Sequence, residues 1–177
     1  MKFLLTLITL LFSLNSQAAL HFEPLAYFAM GTSTQQNTSL EYKQQGYLFG
    51  TRLGLYKNHF MIGLEYLTGA VKYEEDNSNL EFDETPHYMG AYLGYHIKKR
   101  VGLNVSYFPK VRSNSDNSKL SGDAWKAELY YRIKTNISMR LGYTHRTLDF
   151  DEATNQDITN TFESKTILLG LSFPWVL

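Results

Sequence analysis

ISMRLGYTHRTLDFDEATNQDITNTFESKTILLGLSF, residues 137–173, carries the pattern that decides the fold. Ile137, Met139, Leu141 and Tyr143 alternate with Ser138, Arg140, Gly142 and Thr144. After an acidic, polar stretch, Ile167, Leu169, Leu171 and Phe173 alternate with Leu168, Gly170 and Ser172. A period of two belongs to a β-strand, whose side chains point to opposite faces in turn. Each strand therefore has one greasy side and one that is charged, small or glycine.

The same rhythm runs outward from this hairpin through the rest of the chain. It gives eight expected strands, near 21–34, 45–56, 59–73, 86–97, 101–112, 123–133, 137–150 and 162–175. The connections alternate in kind. Lys57–Asn58, Lys98–Arg100 and Lys134–Asn136 are short and basic. The segments 35–44, 74–85, 113–122 and 151–161 are longer and rich in Asn, Ser, Asp and Glu, as solvated loops are.

Alternation fits a soluble barrel with its apolar face inward equally well as a membrane barrel with that face outward. The glycines decide between them. Gly50, Gly54, Gly63, Gly90, Gly94, Gly102, Gly142 and Gly170 all lie on the polar face. Glycine weakens a strand facing water but suits a narrow, crowded interior. The opposite face is almost continuously apolar, as in Phe60, Ile62, Leu64 and Tyr66. Aromatics bunch near both strand ends, with Tyr47, Tyr66, Tyr107, Trp125 and Tyr143 toward the loops. Phe60, Tyr95, Tyr131, Phe173 and Trp175 lie toward the turns. Such belts mark two membrane–water boundaries. The expected fold is all-β: an eight-stranded antiparallel up-and-down transmembrane β-barrel, short turns in the periplasm and longer loops outside.

MKFLLTLITLLFSLNSQA at the start has a basic residue, an apolar stretch and a small-x-small site at Ser16 and Ala18, and reads as an export signal cut after Ala18. The expected organisation is 1–18 as signal peptide and 19–177 as one barrel domain in the outer membrane. The absence of cysteine excludes thiol chemistry and a disulfide scaffold. Seventeen bases against seventeen acids exclude a bulk pull on nucleic acid. His59, His87 and His96 have no metal-ligand spacing, and no metal or cofactor is expected.

On the polar face lie Arg52, Glu65, Lys126, Glu128, Arg132, Arg140 and Arg146. A two-residue hairpin at 57–58 pairs positions that sum to 115, placing Arg52 diagonal to Glu65. A three-residue turn at 134–136 pairs positions that sum to 270, placing Glu128 diagonal to Arg140. The lumen of an eight-stranded barrel is only wide enough to be filled by side chains. Unpaired charge there costs several kcal/mol, so these residues are expected to form an ion-pair plug and not a conducting pore.

RLGYTHRTLDF (140–150) followed by ILLGLSFPW (167–175) resembles the final hairpin of small eight-stranded outer-membrane barrels of the outer-membrane protein X, opacity protein and outer-membrane protein A transmembrane-domain type. The resemblance implies insertion by the barrel-assembly machinery, which reads a terminal aromatic in that group. Here the end is Phe173-Pro174-Trp175-Val176-Leu177, so the aromatics stand before a non-aromatic last residue. Some barrels of this size are lipid-modifying enzymes, notably lipid A deacylase, which uses a His-x-Ser pair near its last hairpin. This chain has His145-Arg146-Thr147 with Glu163 on the next strand, and lacks the serine and the small residues that follow it. No catalytic residue is assigned and a non-enzyme is expected.

The second loop carries Glu74, Glu75, Asp76, Glu81, Asp83 and Glu84. Oxygen-rich clusters suit calcium or magnesium, or a partner surface, although a solvated run is the commoner meaning. The expected function is an integral outer-membrane protein in contact with lipids including lipopolysaccharide, with a structural or surface-interaction role in envelope integrity or adhesion toward an unidentified surface ligand. A narrow pore for small or amphipathic solutes and a lipid A-modifying enzyme are the alternatives.

Overall fold

The computed structural model describes residues 18–36, 40–75, 81–115, 118–152 and 154–177. The expected signal segment, apart from Ala18, lies outside them. Eight long strands follow one another: β1 (Ala19–Gln35), β2 (Leu40–Lys57), β3 (Phe60–Glu75), β4 (Glu81–Lys98), β5 (Val101–Ser115), β6 (Ser118–Lys134), β7 (Ile137–Asp151) and β8 (Gln156–Ser172). Each pairs antiparallel with the next, and β8 pairs with β1, which closes the ring. Closure leaves no long unpaired edge. Pro174, which has no N–H to donate, interrupts the last strand. A short β9 (Trp175–Val176) then resumes the ladder against Phe22 and His21.

The sheet is inside out relative to a soluble barrel. Leu64 is 68 % exposed, whereas Glu65 beside it in β3 is 1 % exposed. Phe49, Leu53, Met89, Leu93, Val105 and Leu141 share the outer face. The expected girdle residues also point outward, from Tyr47 and Tyr66 to Phe60 and Trp175. A continuous apolar exterior of this size is what acyl chains cover, since soluble monomers expose only small patches. The glycine assignment holds where it can be tested by shape. A β-carbon at Gly102 would collide with the Tyr130 hydroxyl, and one at Gly170 with the Tyr27 ring.

Three expectations need correction. The β2–β3 turn is Asn58–His59, not Lys57–Asn58, so Lys57 pairs with Phe60 and Arg52 lies directly opposite Glu65. Asn58 has φ 57°, a left-handed conformation that asparagine tolerates in tight hairpins. The shift is two residues, which preserves every facing. The β6–β7 turn is the two-residue Thr135–Asn136, and an irregularity between Arg132 and Lys134 restores the expected pairing of Tyr130 with Arg140. Finally, much of the four segments read as loops is paired strand, with ladders reaching Tyr42–Glu75, Asn114–Lys119 and Asp151–Gln156. Tyr42, Tyr73, Phe82 and Phe162 face inward there and pack on one another, with Tyr73 and Phe82 stacked at 4.8 Å. Outward neighbours beyond the girdle meet water and are polar, which hid the alternation.

The corrected register is directly testable in a cysteine-free chain. Opposed strand residues lie within disulfide range, so Leu53→Cys with Leu64→Cys is expected to cross-link on oxidation. Leu53→Cys with Ile62→Cys, the pair demanded by a sum of 115, is expected to remain reduced. Mobility on non-reducing gels distinguishes the two.

Candidate functional site

The inward side chains form four levels. Nearest the short turns is a floor of Met61, Tyr92 and Tyr130, with Tyr56 packed against it. His21 Nδ1 lies 3.0 Å from the Tyr92 hydroxyl, and His96 Nδ1 2.6 Å from that of Tyr130. The ring of each tyrosine also receives a guanidinium, Arg52 at 5.0 Å from the Tyr92 centroid and Arg140 at 5.1 Å from that of Tyr130. Cations favour the electron-rich face of an aromatic ring.

Above the floor is a charged level of three carboxylates, Glu23, Glu65 and Glu128, and three cations, Arg52, Lys126 and Arg140. Arg52 donates to Glu65 from Nε and Nη2, each at 3.1 Å, and its Nη1 lies 2.6 Å from Glu128. Lys126 bonds Glu65 and lies 3.3 Å from Glu128. Arg140 bonds both Glu128 and Glu23. Neutral donors complete the shell: Ser106 to Glu65 at 2.5 Å, Asn104 and Tyr27 to Glu128 at 3.0 and 2.8 Å, and Ser172 to Glu23 at 2.7 Å. Equal numbers of opposite charges, with further hydrogen bonds to all three carboxylates, are what allows ions to stay buried.

The third level is apolar. Leu25, Leu67, Phe108, Ala124 and Leu168 fill the bore with almost no accessible surface. This departs from the polar lumen expected along its whole height. A barrel this narrow can be filled by any side chains that pack, and alternation alone does not say which. The fourth level joins Arg146 to Glu84, with Arg146 also donating to Tyr73 at 2.7 Å and Ser164 at 3.1 Å. The Tyr42, Tyr73, Phe82 and Phe162 cluster lies over it.

Of the seven residues expected in the ion-pair plug, six find ionic partners, five of them at the charged level and Arg146 on Glu84 above it. Arg132 does not. It lies toward the turns, opposite Ser138, and its Nε and the Ser138 Oγ are buried without hydrogen-bond partners. Glu23 is the member that sequence reading missed. It shares a face with His21 and Tyr27, but Pro24 and Leu25 beside it obscure the alternation. Of the loop carboxylates, Glu84 is inside on Arg146, while Glu81 and Glu74 lie 2.6 and 3.8 Å from Lys72. The Glu81 hydrogen bond holds the Lys72 ammonium above its usual range. Asp83 is exposed, Glu75 is half-buried, and Asp76 lies outside the described residues. The five described ones do not converge, and the described residues contain no cluster of three or more metal-ligating side chains. His145 stacks on Trp125 at 6.0 Å, Thr147 faces Glu163 across the ladder, and Glu163 accepts a hydrogen bond from Gln36 at 2.5 Å.

A closed ring of eight antiparallel strands with a lipid-facing exterior and an ion-paired interior has the architecture of an outer-membrane β-barrel. Solved structures bear this out. The chain superposes on Ail, the attachment invasion locus protein of Yersinia pestis, solved with the heparin analogue sucrose octasulfate, with a TM-score of 0.58 and 14 % identity over 88 % of this chain and 99 % of that one. It superposes on Neisserial surface protein A with a TM-score of 0.54 and 14 % identity, over 89 % and 99 % of the two chains. At these identities the likeness is one of fold. No protein-family model and no curated protein sequence matches the chain.

Proposed function

We propose that this protein resides in the bacterial outer membrane as a closed, non-enzymatic barrel whose role is structural or surface-interactive. Envelope integrity and adhesion are the roles this form suits, with the hairpins that rise past the outer girdle as the contact surface. The observation that carries this reading is the filled cross-section. Phe108 and Leu168 are 0 % exposed, and Leu67 and Ala124 are 1 % exposed. A water-wide channel crossing that level would have to touch some of them. The hairpin β2–β3 continues from the girdle residue Tyr66 to Glu75, about 20 Å beyond the membrane boundary at the usual rise and tilt of barrel strands. These rigid ladders offer a platform for a surface ligand. Ail binds a sulfated sugar analogue in its solved complex; here the outer hairpins carry more acid than base, which favours a partner of different charge.

Planar-bilayer recordings test the closed lumen. The purified protein is expected to insert without large, steady conductance steps. Sustained ion current from the unmodified chain would replace this reading with that of a narrow pore. Lipid A extracted from cells overproducing the protein is expected to keep its mass.

A further inference from the structure

The balanced formal charge of the chain conceals a separation along the barrel axis. At the turn end lie Lys57, Lys98, Lys99, Arg100, Arg132 and Lys134, while the Asp and Glu residues of the described strands lie at the charged level or beyond it toward the hairpins. The acidic side chain closest to that end along the strands, Glu23, is buried and engaged by Arg52 and Arg140. The charged level is neutral, and the excess acid lies at the hairpin end. We propose that the turn end is a collar for anionic phospholipid, binding the phosphate-bearing headgroups of the leaflet around those turns. The inference rests on the bilayer reading above.

Three observations select a lipid over a partner deeper in the periplasm. The turns are two residues long, at Asn58–His59, Lys99–Arg100 and Thr135–Asn136, so they do not project. The girdle is adjacent: Phe60 pairs with Lys57, Tyr95 precedes Lys98 by three positions, and Tyr131 precedes Lys134 by three. At about 3.3 Å per residue the bases lie within roughly 10 Å of the aromatic belt, which is the depth of the headgroups and about one Debye length. Last, like charges crowded on one rim repel one another. Lys98, Lys99, Arg100 and Lys134 are exposed, and Arg132 has no ion pair with any described residue. Anionic headgroups relieve that repulsion.

The two tryptophans provide a probe in each belt. Trp175 lies at the turn end, stacked on Phe22, and Trp125 lies at the hairpin end beside Tyr143. Trp125→Phe and Trp175→Phe each leave a single reporter. The refolded chain is placed in phosphatidylcholine vesicles containing brominated phosphatidylcholine or brominated phosphatidylglycerol, and fluorescence quenching gives the relative affinity of each lipid at each belt. Phosphatidylglycerol is expected to be preferred roughly fivefold at Trp175 and not at Trp125. That preference is expected to vanish at about 1 M salt, where the Debye length is near 3 Å, and in K99Q/R100Q/K134Q. Equal preference at both tryptophans overturns the collar. So does a Trp175 preference that survives high salt, a measurement on the unmodified turns that needs no variant there to fold. Retention on purified peptidoglycan without any lipid preference also overturns it. If brominated phosphatidylcholine quenches neither tryptophan, the bilayer reading falls first, and the collar with it.

Discussion

Glu128→Ala is expected to destabilise the barrel by about 3–5 kcal/mol, the usual cost of removing one partner from a buried ionic cluster. Glu128 touches Arg52, Lys126 and Arg140 and also receives bonds from Tyr27 and Asn104. Its removal leaves three cations facing two carboxylates in a space with no accessible surface. Those cations remain, and the apolar level above them still fills the bore. Stability should therefore fall far more than conductance rises. Urea titration of the refolded protein in vesicles, followed by gel mobility of the folded and unfolded forms, gives the first quantity and bilayer recording the second. A conducting, fully stable Glu128→Ala barrel would show that this level is a gate and not a plug. Glu65→Ala is expected to act in the same direction, because it removes the partner shared by Arg52 and Lys126.

Leu64→Arg tests the opposite side of the wall. Leu64 projects from β3 between its two girdle residues, Phe60 and Tyr66, one residue before Glu65, and is highly exposed. An arginine there in a bilayer should cost about 2–4 kcal/mol, as charge on the lipid face near the midplane does. Lys72→Arg, on the same strand beyond the girdle, should be nearly neutral because its position is already exposed and charged. In a water-soluble barrel an exposed Leu64→Arg would also be nearly neutral. Comparing the two variants by the same unfolding assay in vesicles thus reports which solvent covers the apolar face. A harmless Leu64→Arg would remove the membrane from the account altogether.

The fold was legible where burial on one face and lipid on the other enforce strict alternation, as in Ile137–Thr144 and Leu53–Tyr66. It was less legible beyond the girdle. There the outward residues, such as Lys72 and Glu74, face water, while the inward Tyr73 still packs. A strand of that kind resembles a polar loop with scattered aromatics. Charge pairing was legible to within the turn register. Arg52 and Glu65 were placed as neighbours from their facing, but whether they meet directly depended on one asparagine adopting positive φ at Asn58. Glu23, by contrast, finds its partners across the lumen from strands distant in sequence. No local period announces a contact between Glu23 and Arg140, nor the inward turn of Glu84 toward Arg146.

Those distant partnerships have a consequence for how the molecule comes into being. Tyr27 reaches a residue 101 positions later, Glu23 one at 117 and another at 149. None of these bonds can form within a growing hairpin; each requires the first strand to have met the last ones. Loop closure of that span must precede any reward from it. Assembly therefore carries uncompensated ions until the cylinder seals, which makes half-built intermediates poor resting places and sealing itself the committing step.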